Sequence, residues 1–416
     1  MSGQVLDRRA FLGAATTAAA AAIAAPGGAD AATGRSSGVD VVIVGAGVFG
    51  TWTAWKLRQA GAKVLLVDAW GPAHARGTSG GETRLIRTEY RGDPLYTRWA
   101  WESLADWKAL SARHEMPLFH ATGALYLYPH VDELIGRSAA LHAQMGIPME
   151  RITPAELARR WPQIDTSGIA VGLLQPTMGP LMARRSVQVL RDDFVAAGGT
   201  YRQMAVAPPV VKGGRLEAIT SIRGETVAAD KFVFACGPWL PKLFPEVVGA
   251  RIVPVHKDVF FFAPEAGDAR FAPPNLPAWV DVSSPDLHYG FPDIEARGFK
   301  IALDRNGAVI DPDQGDRTVS PEAIAQVRAY LRRRFPDLAD RQLVEQRVCQ
   351  YENTHDGNFL IDRHPEADNL WIAGGGSGHG FKHGPAIGTY ITALIDGAPP
   401  ESRFLLASHR EHDGRA

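Results

Sequence analysis

The sequence predicts an α/β protein of two domains, one built on a parallel sheet and one on a mostly antiparallel sheet. A valine-rich run at 39–44 leads directly into glycines, which is typical of a strand buried on both faces of a parallel sheet. Two later runs, 229–235 and 369–373, also end in glycines. Apolar residues that alternate between 250 and 344 favour an antiparallel sheet with one buried face.

The domain boundaries follow from these segments. We assign residues 39–90, 166–249 and 345–400 to the first domain, which is therefore discontinuous. The second domain takes residues 91–165 and 250–344. In it we expect helices, a strand pair at 123–128, a strand at 259–262 and a charged helix from Pro321.

Composition excludes several classes of protein. The chain has 416 residues, 45% of them hydrophobic, with 44 Lys+Arg against 45 Asp+Glu and only two cysteines. The cysteine count excludes a disulfide scaffold, and the apolar content excludes a disordered chain. Without a long basic run, nucleic acid is not expected as a partner, because its phosphates require a positive surface. A small-molecule enzyme is the leading class.

The first 31 residues resemble a leader of the twin-arginine (Tat) export pathway. The pair Arg8-Arg9 is followed by an alanine-rich stretch to Ala25 and by a small-x-small cleavage site at 29–31. The resemblance implies transport by the Tat translocase and a periplasmic or extracellular location. Because this pathway carries folded proteins, it also suggests a bound prosthetic group.

The glycines after the first run match a dinucleotide-binding turn. Gly45 permits the tight turn, Gly47 lets the backbone approach a pyrophosphate, and Gly50 lets the next helix pack on the strand. Asp68 ends the following apolar run, where a carboxylate accepts hydrogen bonds from an unphosphorylated ribose. This Rossmann-like unit does not by itself separate FAD from NAD.

Later segments favour a flavin. Arg84 and Arg87 lie three residues apart after a glycine pair, and on one face of a helix they would form an anion site or a solvated basic face. The runs at 229–239 and 369–382 both return to glycines, as strands do when they approach a cofactor again. Such a late return is more typical of a flavoprotein than of a simple NAD domain.

Taken together, these motifs resemble the monomeric sarcosine oxidase and N-methyltryptophan oxidase group of the D-amino-acid-oxidase-like flavoproteins, over nearly the whole chain after the leader. The resemblance implies FAD held covalently by Cys349, which precedes the stretch 361–365 at the spacing of that group. The thioether would reach the 8α-methyl carbon. A disulfide between Cys236 and Cys349 is the alternative, because one sulfur cannot form both bonds.

The resemblance also implies roles for individual residues. Lys300, at the group's spacing after Tyr289, would activate oxygen, while Arg87 and Lys382 would bind a substrate carboxylate. The complete expected set is Lys300, Arg84, His379 and Tyr289 for catalysis, Arg87, Lys382, Tyr351 and Asp304 for substrate, and Gly45, Gly47, Gly50, Asp68, Cys349, Gly376, Gly378 and Gly380 for FAD.

The implied reaction is oxidation of a secondary or N-methylated amino acid to an imine, with dioxygen reduced to hydrogen peroxide and the imine hydrolysed in water. Asp304 departs from the group, which has a histidine there, and favours a substrate with an additional cation or donor. The alternatives are a flavin-dependent dehydrogenase with another electron acceptor and a non-catalytic exported flavin-binding protein. We expect a monomer. We also expect no metal, because His379 lies in a glycine-rich turn and no paired acid or cysteine completes a ligand set with His383 and the nearby histidines.

Overall fold

The structure is a computed structural model that describes residues 38–304 and 307–411, so the leader lies outside the described residues. In chain order the strands are β1 (Val41–Val44), β2 (Val64–Asp68), β3 (Thr83–Ile86), β4 (Ala124–Tyr128), β5 (Glu150–Ile152), β6 (Val171–Gln175), β7 (Gly179–Met182), β8 (Thr200–Gln203), β9 (Ala218–Thr220), β10 (Thr226–Ala228), β11 (Lys231–Phe234), β12 (Val253–Phe262), β13 (Ala278–Asp281), β14 (His288–Phe291), β15 (Phe299–Leu303), β16 (Leu343–Asn353), β17 (Leu360–Arg363) and β18 (Leu370–Gly374). The α-helices are α1 (Val48–Gln59), α2 (Pro94–Arg113), α3 (Glu133–Gln144), α4 (Pro154–Arg160), α5 (Ala183–Ala196), α6 (Leu240–Leu243), α7 (Pro321–Arg334) and α8 (Gly384–Ile395).

A six-stranded sheet carries the glycine turn. Its order is β17-β18-β11-β1-β2-β8, and every neighbouring pair is parallel except the edge pair β17 and β18. In β1, Val41 and Ile43 pack into one core cluster while Val42 and Val44 pack into another. The strand is therefore buried on both faces, which confirms the interpretation of its valine-rich sequence.

Helices cover one face of this sheet. The first core cluster combines Ile43 of β1 with Trp52 of α1, Val187 of α5 and Ile387 of α8. Helix α1 starts directly after Gly47, and Gly61 follows its end with a φ of +94°, a conformation that glycine adopts without steric cost. This packing fixes the N-terminus of α1 at the carboxyl edge of the sheet.

The second sheet has eight strands in the order β16-β12-β15-β14-β13-β4-β6-β5. Only β13 and β4 pair in parallel, so the predicted mostly antiparallel sheet is confirmed. Its core contains Phe260 and Phe262 of β12 against Val327 and Leu331 of α7. Ser320 caps α7 by accepting a hydrogen bond from the amide of Ala323, which explains why the predicted charged helix begins at Pro321.

Two local predictions are wrong. Arg84 lies on β3, not on a helix, because Thr83–Ile86 pairs with Gly179–Met182 of β7 in a two-stranded antiparallel sheet. The segment expected to be a strand pair forms the single strand β4, which pairs with β6 and β13 from elsewhere in the chain. In both cases a distant partner strand decides the local structure, and a single sequence does not reveal that partner.

Both sheets belong to one compact unit. Strands β6 and β16 lie in the eight-stranded sheet although they come from segments assigned above to the first domain, and the residue boundaries of the two domains stay a prediction. Among the helices of the described ranges, none combines the length and the apolar character that a membrane crossing requires.

Candidate active site

The glycine turn forms a tight cradle at the end of β1. The amide of Gly45 donates to the carbonyl of Val67 at 2.8 Å, and its φ of +108° lies in a region that disfavours side chains. A Cβ at Gly50 would collide with the carbonyl oxygen of Gly45. The turn is therefore closed by direct backbone contact, and it places the N-terminus of α1, whose first amide donates to the Ser79 hydroxyl at 3.0 Å, beside the glycines, where a phosphate would bind.

Asp68 is buried at the end of β2 and holds the same turn. One carboxylate oxygen accepts from the amide of Ala46 at 2.8 Å, and the other accepts from the amides of Trp70 and Gly71, both at 2.8 Å. This carboxylate joins the glycine turn to the loop that follows β2. Asp68 is the residue that the sequence predicts to bind the ribose.

A cavity of about 380 Å³ opens over this turn, and we call it the glycine cavity. Of the predicted cofactor residues, Gly45, Gly47, Asp68, Gly376, Gly378 and Gly380 line it. Gly50 does not, because it packs beneath the turn, and Cys349 is also absent from the lining. The cavity therefore combines the first glycine motif with the turn after β18.

A second cavity of about 330 Å³ adjoins the first, and we call it the arginine cavity. Arg84, Tyr351, Gly378 and Phe381 line both cavities. The other predicted residues that line the arginine cavity are Arg87, Tyr289, Asp304, His379 and Lys382. Seven of the eight predicted catalytic and substrate residues thus surround one space, and the exception is Lys300.

Arg87 and Lys382 supply positive charge to the arginine cavity. The Arg87 guanidinium lies 4.2 Å from the centre of the Tyr90 ring, and one of its nitrogens donates to the carbonyl of Glu89. Lys382 is buried and donates to the Tyr90 hydroxyl at 3.0 Å and to the carbonyl of His379 at 2.8 Å. Burial, and then the charge of Arg87, lowers the pKa of Lys382 well below its ordinary value. An anion between the two groups would relieve that repulsion.

Tyr90 links these groups, and the sequence analysis missed it. Its hydroxyl lies 3.2 Å from Nδ1 of His379 and 2.7 Å from Nε2 of His383. Because Nε2 of His379 must donate to the carbonyl of Gly357 at 2.8 Å, its Nδ1 accepts the Tyr90 proton and His383 donates to Tyr90. Burial lowers the pKa of both histidines well below the ordinary value, so both are neutral in this network.

Two further lining residues that were not predicted could have been found from a pattern in the sequence. Tyr126 and Tyr128 alternate along β4, so both side chains point to the same face of the sheet and line the arginine cavity. The alternation is visible in the sequence, whereas nothing in it marks Tyr90 or Glu89. Glu89 is buried and accepts from Tyr128 at 3.3 Å and from the amide of Arg91 at 2.9 Å.

Tyr289, Tyr351 and Asp304 form a chain of hydrogen bonds along the cavity wall. The two tyrosine hydroxyls are 3.1 Å apart, and Tyr351 donates to Asp304 at 3.0 Å. Burial raises the pKa of Tyr289 to about 12, so it stays protonated. Asp304 therefore places an acceptor opposite the two cations.

Lys300 lies apart from both cavities and lines a third one of about 230 Å³. It is buried on β15 and donates to the carbonyl of Thr83 at 3.0 Å and to its hydroxyl at 2.9 Å. Burial, and then the charge of Arg84, lowers its pKa well below the ordinary value. It thus sits behind β3, the strand that presents Arg84 to both cavities.

Cys349 is a free, buried thiol on β16 beside Arg84, whose guanidinium lies 3.3 Å from its sulfur. Burial alone would raise the pKa of this thiol, but the charges of Arg84 and Arg347 outweigh burial and lower it. Cys236 is also free, so the two cysteines form no disulfide in this structure. Burial raises the pKa of Cys236, which makes Cys349 the more nucleophilic of the two.

The fold and the two cavities define a dinucleotide-binding protein with an adjoining site for a small anionic substrate. The chain belongs to the DAO family of FAD-dependent oxidoreductases, which matches residues 40–394. It is 30% identical to the monomeric sarcosine oxidase of Bacillus sp. (strain B-0618), a match that covers 86% of this chain and 92% of the relative. It is 29% identical to the N-methyl-L-tryptophan oxidase of Salmonella arizonae, over 84% of this chain and 92% of the relative.

Solved structures share the fold. L-proline dehydrogenase from P. horikoshii matches with a TM-score of 0.77 and 21% identity, covering 89% of this chain and 96% of the other. The amino acid oxidase NikD matches with a TM-score of 0.71 and 24% identity, covering 88% and 96%. The α/β fold with two sheets is therefore confirmed.

The residues of the glycine cavity fit FAD. Three buried polar atoms that line it lack a hydrogen-bond partner within the described residues: Nδ1 of His74, Oγ1 of Thr78 and Oε2 of Glu352. Burial raises the pKa of Glu352 to about 7, so near neutral pH its carboxyl group can donate as well as accept. The ribityl and ribose hydroxyls and the phosphates of a dinucleotide offer suitable partners for such atoms. No signal in the sequence marks Glu352.

Proposed function

We propose that this FAD-dependent oxidoreductase oxidises the CH–NH bond of a secondary or N-methylated amino acid and reduces dioxygen to hydrogen peroxide. The observation that carries the proposal is the arginine cavity, in which Arg87 and Lys382 face a space that joins the glycine cavity at Arg84 and Tyr351. Sarcosine and N-methyltryptophan, the substrates named for two relatives, both combine a carboxylate with a secondary amine.

Arg87 and Lys382 would hold the substrate carboxylate. A guanidinium binds a carboxylate with two parallel hydrogen bonds, while an ammonium adds a point charge. With that end fixed, the α-carbon is directed toward the wall that both cavities share. FAD, when bound, supplies the acceptor of the hydride equivalent and passes the electrons to dioxygen.

The amine must be neutral when it reacts, because its nitrogen lone pair helps to expel the hydride equivalent. Burial among Tyr289, Tyr351 and the two cations favours the uncharged amine. One oxygen of Asp304 accepts from Tyr351, and among the described residues no hydrogen bond reaches its second oxygen, which could accept from a further donor on the substrate. We therefore infer a substrate with an additional cation or donor, rather than plain sarcosine.

Lys300 would promote the reaction with dioxygen. Superoxide formed on reduction of dioxygen is an anion, and a buried ammonium stabilises it strongly because little water screens the charge. The same anion would favour the protonated form of Lys300 and so oppose the lowering of its pKa by burial and Arg84. Thr83 orients the Lys300 nitrogen through two hydrogen bonds. An acceptor other than dioxygen would make the protein a dehydrogenase instead.

Cys349 would hold FAD through a thioether to the 8α-methyl carbon. Its lowered pKa and the contact with Arg84 support this role. The test is to denature the purified protein in acid and follow the yellow colour. We expect colour in the pellet for the wild type and for Cys236→Ser, and colour in the supernatant for Cys349→Ser. Colour released from the wild type would show that no covalent bond forms.

A peroxide assay across N-methyl, cyclic and primary amino acids, each with and without a basic side chain, tests the substrate class. We expect the highest kcat/KM for a secondary amine with an additional cation. Turnover with an artificial dye but no peroxide in air would favour the dehydrogenase. Bound FAD whose absorbance no amine bleaches would favour a non-catalytic flavin-binding protein.

We also propose that residues 1–31 direct export of the folded protein by the Tat translocase to the periplasm or beyond, and that the exported protein is a monomer. Replacing both Arg8 and Arg9 by Lys should retain the protein in the cytoplasm, as fractionation would show. Light scattering of the purified protein would give its oligomeric state.

A further inference from the structure

A group of potential metal ligands lies outside both cavities. His355 and Asp356, which follow β16, meet His409 from the C-terminal segment, and one ligand atom of each residue lies within 4.8 Å of the other two. The His409 side chain is fully buried, while 29% of the Asp356 side chain is exposed. His409 therefore lies in the protein interior, while the Asp356 side of the group is open to water.

The hydrogen bonds of His409 fix its tautomer. Its Nε2 lies 3.0 Å from the carbonyl oxygen of Phe359, which can only accept, so Nε2 carries the proton. In the neutral ring, a proton on Nε2 leaves a lone pair on Nδ1. Nδ1 is buried without a hydrogen bond to any described residue, and it points to Oδ1 of Asp356 at 3.6 Å.

Nδ1 of His409 and Oδ1 of Asp356 are therefore both acceptors, and the 3.6 Å between them is too long for a hydrogen bond. Nδ1 of His355 is a further buried ring nitrogen without a hydrogen-bond partner within the described ranges. Asp356 is held in place because its oxygens accept from the amide and the side chain of Asn358, at 3.0 and 2.9 Å. A cation coordinated by His355, Asp356 and His409 would give the two unpaired ring nitrogens and the carboxylate a common partner.

We propose that His355, Asp356 and His409 bind a divalent zinc ion, with water in the remaining position. Two imidazoles and one carboxylate suit zinc better than magnesium or calcium, which prefer oxygen ligands. Ligand atoms across a tetrahedral zinc lie about 3.3 Å apart, close to the 3.6 Å between His409 and Asp356, while the widest pair of the group, within 4.8 Å, would close by up to about 1.5 Å. The hydrogen bond from His409 to the Phe359 carbonyl is the support that zinc-bound histidines usually have.

The ion would join the C-terminal segment to the loop after β16. The same loop provides the Gly357 carbonyl that accepts from His379 in the arginine cavity. Zinc would thus stabilise the position of His379 without touching the substrate. The sequence does not suggest this site, because His409 is distant along the chain from the other two ligands.

The test uses the purified protein with its flavin, treated with chelator and dialysed. Zinc sulfate is titrated in a calorimeter, the bound zinc is counted by mass spectrometry, and the thermal midpoint is measured with and without zinc. The variants are His355→Ala, Asp356→Asn and His409→Gln. The control is His130→Ala, whose side chain is 70% exposed and lies outside the group.

We expect one zinc ion per chain and a higher thermal midpoint with zinc for the wild type and for His130→Ala. Each ligand variant should bind zinc at least about 10-fold more weakly and lose the thermal shift. Should His409→Gln fail to fold, the other two variants decide the result. No zinc binding by the wild type, equal affinity in the variants, or tighter binding of calcium than of zinc would each overturn the proposal.

Discussion

The glycine cavity and the arginine cavity share a wall but are built from different material. The glycine cavity is built around a backbone turn, and this central part comes from one continuous segment, β1, the turn and α1. The arginine cavity consists of charged and aromatic side chains brought together from β3, β4, β14, β16 and the turn after β18. A site made of backbone depends on shape, whereas a site made of side chains depends on charge and hydrogen bonding. The two should therefore respond differently to substitution.

The largest effect should come from one methyl group under the glycine cavity. In Gly50→Ala, the new Cβ would collide with the Gly45 carbonyl, which is backbone and cannot move aside without opening the turn. We expect the purified variant to contain no flavin by absorbance. The control is Gly136→Ala on α3, where a Cβ meets no atom within 4 Å of the described structure. That variant should keep its flavin, and full flavin content in Gly50→Ala would refute the shape argument.

A smaller effect should follow from loss of the Lys300 charge. Lys300→Met keeps the length of the side chain but removes the ammonium that Thr83 orients, and we expect the reaction with dioxygen to slow about 100- to 1,000-fold. Stopped-flow mixing with oxygen measures this step, and anaerobic reduction by the substrate should change little. The exposed Lys108→Met is the control. Unchanged oxygen reactivity in Lys300→Met would show that its assigned role is wrong.

The sequence predicts more of the glycine cavity than of the arginine cavity, because the centre of the first comes from one segment and the second is assembled from distant elements. Gly45, Gly47 and Asp68 are close together along the chain, and the steric rules that require them are local, so their roles can be inferred from one segment. Spacing alone leaves Arg84 and Arg87 as either an anion site or a solvated basic face, and their individual roles, like that of Lys382, follow only from resemblance to a family. Tyr90 was missed because its contacts with His379 and His383 depend on how distant elements pack. The helix expected around Arg84 was wrong because a distant strand, β7, pairs with it.

Substitution of Arg87 tests whether charge governs the arginine cavity. Arg87→Ala removes the guanidinium and should raise KM for an amino-acid substrate about 10- to 100-fold, the value of a charge-assisted hydrogen bond. Arg87→Lys should recover part of this loss, because it restores charge but not the two parallel hydrogen bonds. Initial rates of peroxide formation give both values. An amine without a carboxylate should be oxidised equally well by all three proteins, and a large loss for that amine would argue against a carboxylate site.

The last prediction concerns the pH dependence of stability, not flavin content or catalysis. It depends on Glu352, the acid lining the glycine cavity whose pKa burial raises. Burial moves the pKa of Glu352 from 4.5 to about 7, so the folded state binds its proton more tightly than the unfolded state does. The corresponding stability is fully present below pH 4.5 and is lost as the pH rises to about 7. The shift in pKa from 4.5 to about 7 corresponds to about 3 kcal/mol of unfolding free energy between pH 4 and 8. Urea unfolding of the Cys349→Ser protein, after its flavin has been removed, measures this slope, which Glu352→Gln should remove. A slope that persists unchanged in Glu352→Gln would contradict its assignment to this buried acid.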